Sequence, residues 1–341
     1  MKKNLIALAV LAASGVASAQ SSVTLYGLAD VYVGTSRIKS SGSPSQRNTV
    51  VDSGGFNTSR FGLKGSEDLG GGLKANFVLE AGFDISTGAA NNYTNPYTGV
   101  TSNAIFGRQS WVGLSGGFGE VRLGKMWTPY DEVKGLGAAA FDANIFAPAT
   151  GVWSSNNYHD RPGNSIYYAT PNVSGFSAAA LYSLGENKTA TASAGKIASF
   201  NVQYAGGPFA AALAYQTEKD NGLAATSTAK FTQLNASYDL GVAKVLAAAG
   251  HMKDAGNRAR EFQLGVDVPL GAITVSGGVA RSKLTLAAGG GEVRSTGVGL
   301  AAKYDLSKRT FLYTGLQMAK NEIGAGEVKT DTFAVGVQHK F

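Results

Sequence analysis

The side chains able to act chemically in this chain are few in kind. It holds three histidines, His159, His251 and His339, and no cysteine. Thiolate nucleophiles and thiolate metal sites are therefore excluded. No G-x-S-x-G elbow and no H-E-x-x-H pair accompanies the histidines, so serine hydrolysis and zinc catalysis lack their usual constellations. Gly289-Gly290-Gly291 is not followed by Lys and Ser or Thr, which makes it a loop and not a phosphate cradle. What remains is charge at regular spacing. Arg60 and Lys64 alternate with Phe61 and Leu63, Arg122 alternates with Val121 and Leu123, and Arg108 shares the parity of Ser110 opposite Trp111. Four carboxylates, Asp131, Glu132, Asp142 and Asp160, fall in one polar stretch further on. With no nucleophile to serve, such groups act through their field on ions and polar solutes.

The elements that carry these charges follow from period-two alternation, which recurs along the whole chain. Near the end, Phe333, Val335 and Val337 alternate with Ala334, Gly336 and Gln338; near the start, Val23, Leu25, Ala29, Val31 and Val33 alternate with Thr24, Tyr26, Asp30 and Tyr32. Apolar-out, polar-in segments of about ten residues are what a membrane-spanning barrel strand requires, whereas soluble sandwich strands are usually shorter. The connections fall into two kinds. Seven short turns rich in Gly, Asp, Asn and Pro alternate with eight longer polar loops, at roughly 35–55, 85–103, 128–162, 185–195, 219–229, 253–258, 284–292 and 320–330. The expected fold is all-β, a sixteen-stranded antiparallel transmembrane β-barrel closed by pairing of its first and last strands. On that fold, charge on the lipid face costs about 2–4 kcal/mol at mid-depth, so Arg60, Lys64, Arg108 and Arg122 are expected in the lumen, with Phe61, Leu63, Trp111, Val121 and Leu123 facing lipid.

The N-terminus reads as an export signal. Lys2 and Lys3 precede a short apolar run over Leu5–Ala13, and Ala17-Ser18-Ala19 fits a cleavage site, which puts the mature start at Gln20. The apolar run is too short to span a membrane, for which about 20 residues are needed. A leader over 1–19 and a single barrel domain over 20–341 are the expected organisation. Of 30 basic and 23 acidic residues, the leader removes two basic ones, which leaves a formal charge of +5. The remaining basic residues are dispersed among strands, not gathered in one patch, which argues against a nucleic-acid partner.

Several strings carry a family resemblance. SSVTLYGLAD, TSRFGLKGSEDLGGGLKANF, FGRQSWVGLSGGFGEVRLGKMWTP, RPGNSIYYATPNVSGF and the terminal TFAVGVQHKF occur in this order. They resemble the trimeric general-diffusion porins of Gram-negative bacteria, most closely those of the β-proteobacteria. The resemblance implies a homotrimer in the outer membrane, in contact with its lipid and lipopolysaccharide, and a third loop folded into the lumen as a constriction. It also implies that Phe341 is the C-terminal signal read by the barrel assembly machinery. No cofactor and no metal is implied.

By that resemblance, Arg60, Lys125 and Arg161 stand where the family places the basic wall of the pore, joined by inward Arg108 and Arg122. Lys125 breaks the parity of its strand and stands where relatives often carry Arg. The loop from Thr128 to about Pro162 is the expected constriction loop, with Asp131, Glu132 and Asp142 as its acidic face. Carboxylates facing arginines across a narrow aqueous passage create a transverse field that favours polar permeants. With Asp142 the one acid of Phe141–Pro148, the negative side is thin, and a weak anion preference is expected. The alternatives are a substrate-specific channel, which would line its lumen with aromatic side chains, and a barrel adhesin or surface antigen acting through its long loops. Aromatic residues including Phe231, Phe311 and Tyr313 are read as members of the interfacial girdles.

Overall fold

The computed structural model describes residues 22–95, 99–185, 187–190, 193–219 and 227–341. The leader and Gln20 lie outside these residues. Seventeen strand segments join one sheet. Two of them, Gln46–Ser53 and Arg60–Gly70, pair end to end with the same neighbour, so they form one wall strand interrupted at residues 54–59. The wall therefore has sixteen antiparallel strands. They are β1 (Ser22–Ser40), β2 (Gln46–Ser53 with Arg60–Gly70), β3 (Leu73–Gly82), β4 (Gln109–Gly116), β5 (Gly119–Lys125) and β6 (Ser165–Ala169). Next come β7 (Phe176–Leu184), β8 (Lys196–Gly206), β9 (Phe209–Lys219), β10 (Thr228–Asp239) and β11 (Lys244–Asp254). The last five are β12 (Asn257–Leu270), β13 (Ile273–Thr285), β14 (Glu292–Asp305), β15 (Thr310–Ile323) and β16 (Gly326–Lys340).

The sheet closes where β1 pairs with β16, from Leu28 opposite Lys340 to Ser40 opposite Val328. The Gly27 and Phe341 backbones exchange two hydrogen bonds of 3.1 Å, which tie the last residue onto the first strand. Closure pairs the first strand with the last, so the sheet has no terminal free strand, the condition for a sheet in hydrocarbon. Alternation then sorts the two faces. Val23, Leu25, Phe61, Leu63, Leu123, Phe262, Leu264, Phe333 and Val335 are exposed on the outside, while Asp30, Asn201, Gln233, Gln263 and Gln338 are buried within. An exposed apolar band on a closed sheet, with polar groups inside, is a surface made for lipid.

Three expectations need correction. Trp111 is 8% exposed and faces the lumen, whereas Val112 and Leu114 face out, so Ser110 shares the outer face. Trp111 gains the Arg122 guanidinium, 4.7 Å from its ring, which an outward side chain could not reach. Arg108 lies one residue before β4, so strand parity does not fix its direction. Phe231, Phe311 and Tyr313 are not girdle residues: all three are buried inward, where they seat the constriction loop. Two of the long loops shrink to tight hairpins at 254–257 and 323–326, because the flanking strands run beyond the expected ends.

Candidate functional site

The connection from β5 to β6 folds into the barrel and lies against its inner wall. It opens with a short helix, α1 (Pro129–Glu132). Pro129 starts the helix, where a missing N–H costs nothing, and the Thr128 hydroxyl accepts the Asp131 N–H at 3.3 Å. Inward amides of the wall then hold the loop by its backbone. Asn201 Nδ2 donates to the Pro129 carbonyl at 2.7 Å, and Gln233 Nε2 donates to the Tyr130 carbonyl. Gln263 Nε2 reaches the Gly137 carbonyl and Gln317 Nε2 the Thr150 carbonyl, each at 2.9 Å. The Glu261 carboxylate accepts the Ser154 and Ser155 N–H groups and the hydroxyls of Ser155 and Ser282.

At the loop's tip, the N–H groups of Asn144 and Ile145 donate to the Phe56 and Gly55 carbonyls at 3.2 Å each, within the interruption of β2. Phe56 packs there on Phe141, Phe311 and Tyr313 with ring centroids 5.0–5.4 Å apart. Close approach needs bare backbone on the wall. A Cβ on Gly297 would lie 1.9 Å from the Pro148 carbonyl oxygen, and one on Gly299 2.1 Å from that of Phe146. At about 1 kcal/mol net for each hydrogen bond, the anchors fix the loop firmly against the wall.

The opposite wall stays open and charged. A cavity of about 420 Å³ is lined there by Arg60 of β2, Arg108 and Arg161, with Asp131, Lys134 and Asp142 on the loop side. Arg108 Nε meets Glu80 Oε1 at 2.7 Å, Arg60 Nε meets Glu80 Oε2 at 3.7 Å, and the Tyr26 hydroxyl donates to the same carboxylate at 3.0 Å. The Arg161 and Arg108 guanidinium carbons stand 4.2 and 5.5 Å from the Trp127 ring, which holds the two cations in place by cation–π attraction. Arg161 also meets Asp160 at 3.1 Å, and Lys134 meets Asp142 at 3.6 Å. The same cavity thus gathers four cations, Arg60, Arg108, Lys134 and Arg161, and four carboxylates, Glu80, Asp131, Asp142 and Asp160.

Not every expected site residue joins them. Lys125 lines a neighbouring pocket with His159 and Arg161, 3.9 Å from the Tyr93 ring, and donates to the Arg161 carbonyl. Gly124, with φ of 133°, breaks the pleat immediately before it. Arg122 is sandwiched between Trp111 and Tyr167 and meets Glu120 at 2.6 Å and Glu132 at 3.8 Å. Glu132 in turn accepts the Tyr167 hydroxyl, so this pair neutralises itself on the wall. On the loop, burial pushes the Asp131 carboxyl up to about 6 and Glu132 up to about 7, and it raises Asp142 as well. Sequence reasoning missed Glu80, Trp127, Lys134 and the amide anchors. The inward parity of Gln233, Gln263 and Gln317 was a visible signal, but their partners are backbone carbonyls more than a hundred residues away.

Comparisons with known proteins agree with this architecture. The family model described as Gram-negative porin matches residues 6–324. Outer membrane porin protein 32 of Delftia acidovorans is 36% identical, and an outer membrane porin protein of Bordetella pertussis is 30% identical, each alignment covering 100% of both chains. Among solved structures, an anion-selective porin from Comamonas acidovorans superposes with a TM-score of 0.78 and 29% identity, covering 94% of this chain and 100% of its own. These relatives are channels of the outer membrane and not enzymes. A sixteen-stranded barrel, a loop pinned inside it and a charged aqueous cavity beside that loop agree with the matches along the whole chain: it belongs to the Gram-negative porins, and its place is the outer membrane.

Proposed function

We propose that this general-diffusion porin is weakly anion-selective, and that the basic wall of Arg60, Arg108 and Arg161 sets the preference. The observation that carries the reading is an imbalance across the cavity. Arg60 and Arg108 on the wall and Arg161 at the return of the loop line one cavity, two of them against the Trp127 ring. On the loop side, Asp142 is already paired with Lys134, and Asp131 accepts the Tyr158 hydroxyl. Arg60 and Arg108 share the single carboxylate of Glu80, so this side keeps an excess of positive charge toward a permeating anion, and the formal charge of the chain has the same sign. The relative described as anion-selective supports the same sign of preference. Arg122 and Lys125 contribute less, since neither lines the cavity.

A homotrimer and delivery by the barrel assembly machinery through Phe341 belong to this reading, on the strength of the family resemblance. Phe341 is exposed at the short-turn end, where such a signal would be read. The test is a swelling assay on liposomes holding the refolded protein. Uptake that falls smoothly with sugar size supports general diffusion; saturable uptake of a single sugar would favour a substrate-specific channel. A zero-current potential of cation-preferring sign under a salt gradient would overturn the assignment of the basic wall.

A further inference from the structure

The interruption of β2 is built around one residue of β1. Ser53 lies opposite Val31 and Arg60 opposite Leu28, so residues 54–59 stand against Ala29 and Asp30. Asp30 is fully buried, and its backbone and side chain both serve this gap. The Gly54 N–H donates to the Asp30 carbonyl at 2.9 Å. The Ser59 hydroxyl donates to the same oxygen at 3.1 Å and accepts the Asp30 N–H at 3.0 Å. The Asp30 carboxylate accepts the Asn57 N–H at 3.0 Å, the Phe56 N–H at 3.4 Å and the Tyr313 hydroxyl at 2.6 Å. Asn57 Nδ2 then ties the gap to β16 by donating to Gln338 Oε1 at 2.9 Å. A carboxylate out of water is costly unless donors meet it, and bonds to a charged acceptor are roughly twice as strong as neutral ones. Asp30 therefore dictates the path of the gap.

The gap in turn touches both sides of the passage. On the loop side, its Gly55 and Phe56 carbonyls take the N–H groups of Ile145 and Asn144, and its Gly54 carbonyl accepts Asn144 Nδ2 at 2.7 Å. On the basic side, its Thr58 carbonyl accepts Arg60 Nη1 at 3.1 Å. Asn57, Thr58, Arg60 and Asn144 all line the cavity of about 420 Å³, and Asp30 stands behind them, out of water. The amide anchors of the far wall grip loop backbone, whereas the gap grips the loop tip and an arginine together.

We propose that Asp30 is a positioning residue for the constriction. Through the gap at 54–59 it fixes the loop tip and the Arg60 guanidinium in one frame, and so sets the width of the passage and the place of its first cation. The inference rests on the loop narrowing the passage and not on which ion the passage prefers. The chain has no cysteine, so single cysteines report the loop's position by their rate of reaction with a water-soluble maleimide. Ala143 lies in the tip and is 1% exposed; Ala149 is 9% exposed and lies beside Thr150, which Gln317 holds. On barrels shown to be folded by their gel mobility, Asp30→Ala raises labelling of Ala143→Cys by at least about tenfold and Tyr313→Phe by about threefold. Labelling of Ala149→Cys stays as in the parent, whereas a general loosening would raise both. The anion-to-cation permeability ratio of each variant moves toward one as Arg60 loses its frame. If Asp30→Ala yields no folded barrel, Tyr313→Phe, which keeps the carboxylate and the ring, carries the test alone. A parent that prefers cations would strike the reading of the basic wall and leave the labelling result standing. Labelling of Ala143→Cys that does not change, a matching rise at Ala149→Cys, or a permeability ratio equal to the parent's would each overturn the proposal.

Discussion

The inner wall of this barrel has two halves built on opposite rules. From β8 to β15, inward Asn, Gln and Glu side chains and bare glycines spend themselves on the constriction loop, so little of that half faces water. From β2 to the start of β4, the inward arginines have one main carboxylate partner, Glu80, and line an open cavity. One half positions and the other half acts. The loop can only narrow the passage because the first half fixes it, and the field can only bias ions because the second half is left unpacked.

Breaking the positioning half has the largest effect. Gly297→Leu places a side chain where the Pro148 carbonyl oxygen already stands, 1.9 Å from any Cβ. The loop is expected to leave the wall, at a cost of about 1–3 kcal/mol in stability. Single-channel records should become noisier with a changed conductance, and protease should cut between residues 128 and 162. The next effect comes from the acting half. Glu80→Gln removes the carboxylate that offsets Arg60 and Arg108, and the anion-to-cation permeability ratio should rise up to about fourfold, since a unit charge ~10 Å away in water is worth about 0.4 kcal/mol to each ion, with opposite signs. Measurement of zero-current potentials checks it, and an unchanged or lower ratio contradicts the role given to Glu80.

Acidification gives a graded version of the same comparison. Asp131 and Glu132 have carboxyls raised to about 6 and about 7, so both lose negative charge as pH falls from 8 to 5. Anion preference should therefore grow as pH falls through that window, with Asp131→Asn abolishing its lower part. The smallest effect is expected at Lys125. Because it faces Tyr93 and the Arg161 carbonyl in the neighbouring pocket, Lys125→Gln should shift selectivity less than Arg161→Gln does.

Much of the fold was legible in the sequence because alternation is a local property of each strand. The faces of Phe61, Leu63, Leu123, Phe333 and Val335 follow from parity and hold in the structure. Phase fails where bulky side chains occupy both faces. Trp111 and Val112 are adjacent and both large, and nothing local says that Trp111 turns inward to meet Arg122. Phe231 and Tyr313 look like girdle residues until a loop from far along the chain is seen to rest on them. The arginines of the cavity were legible as inward charge or by resemblance. Their compensation by Glu80, and the withdrawal of Lys125 behind the Gly124 kink, are matters of tertiary geometry.

The most direct test of the central claim compares zero-current potentials of the parent and the combined Arg60→Ser, Arg108→Ser, Arg161→Ser variant in planar bilayers under a KCl gradient. The account predicts an anion-preferring potential for the parent and a reversal toward cations in the variant, with trimeric conductance steps in both. An anion preference that survives removal of all three arginines would contradict it and place the selectivity elsewhere in the lumen.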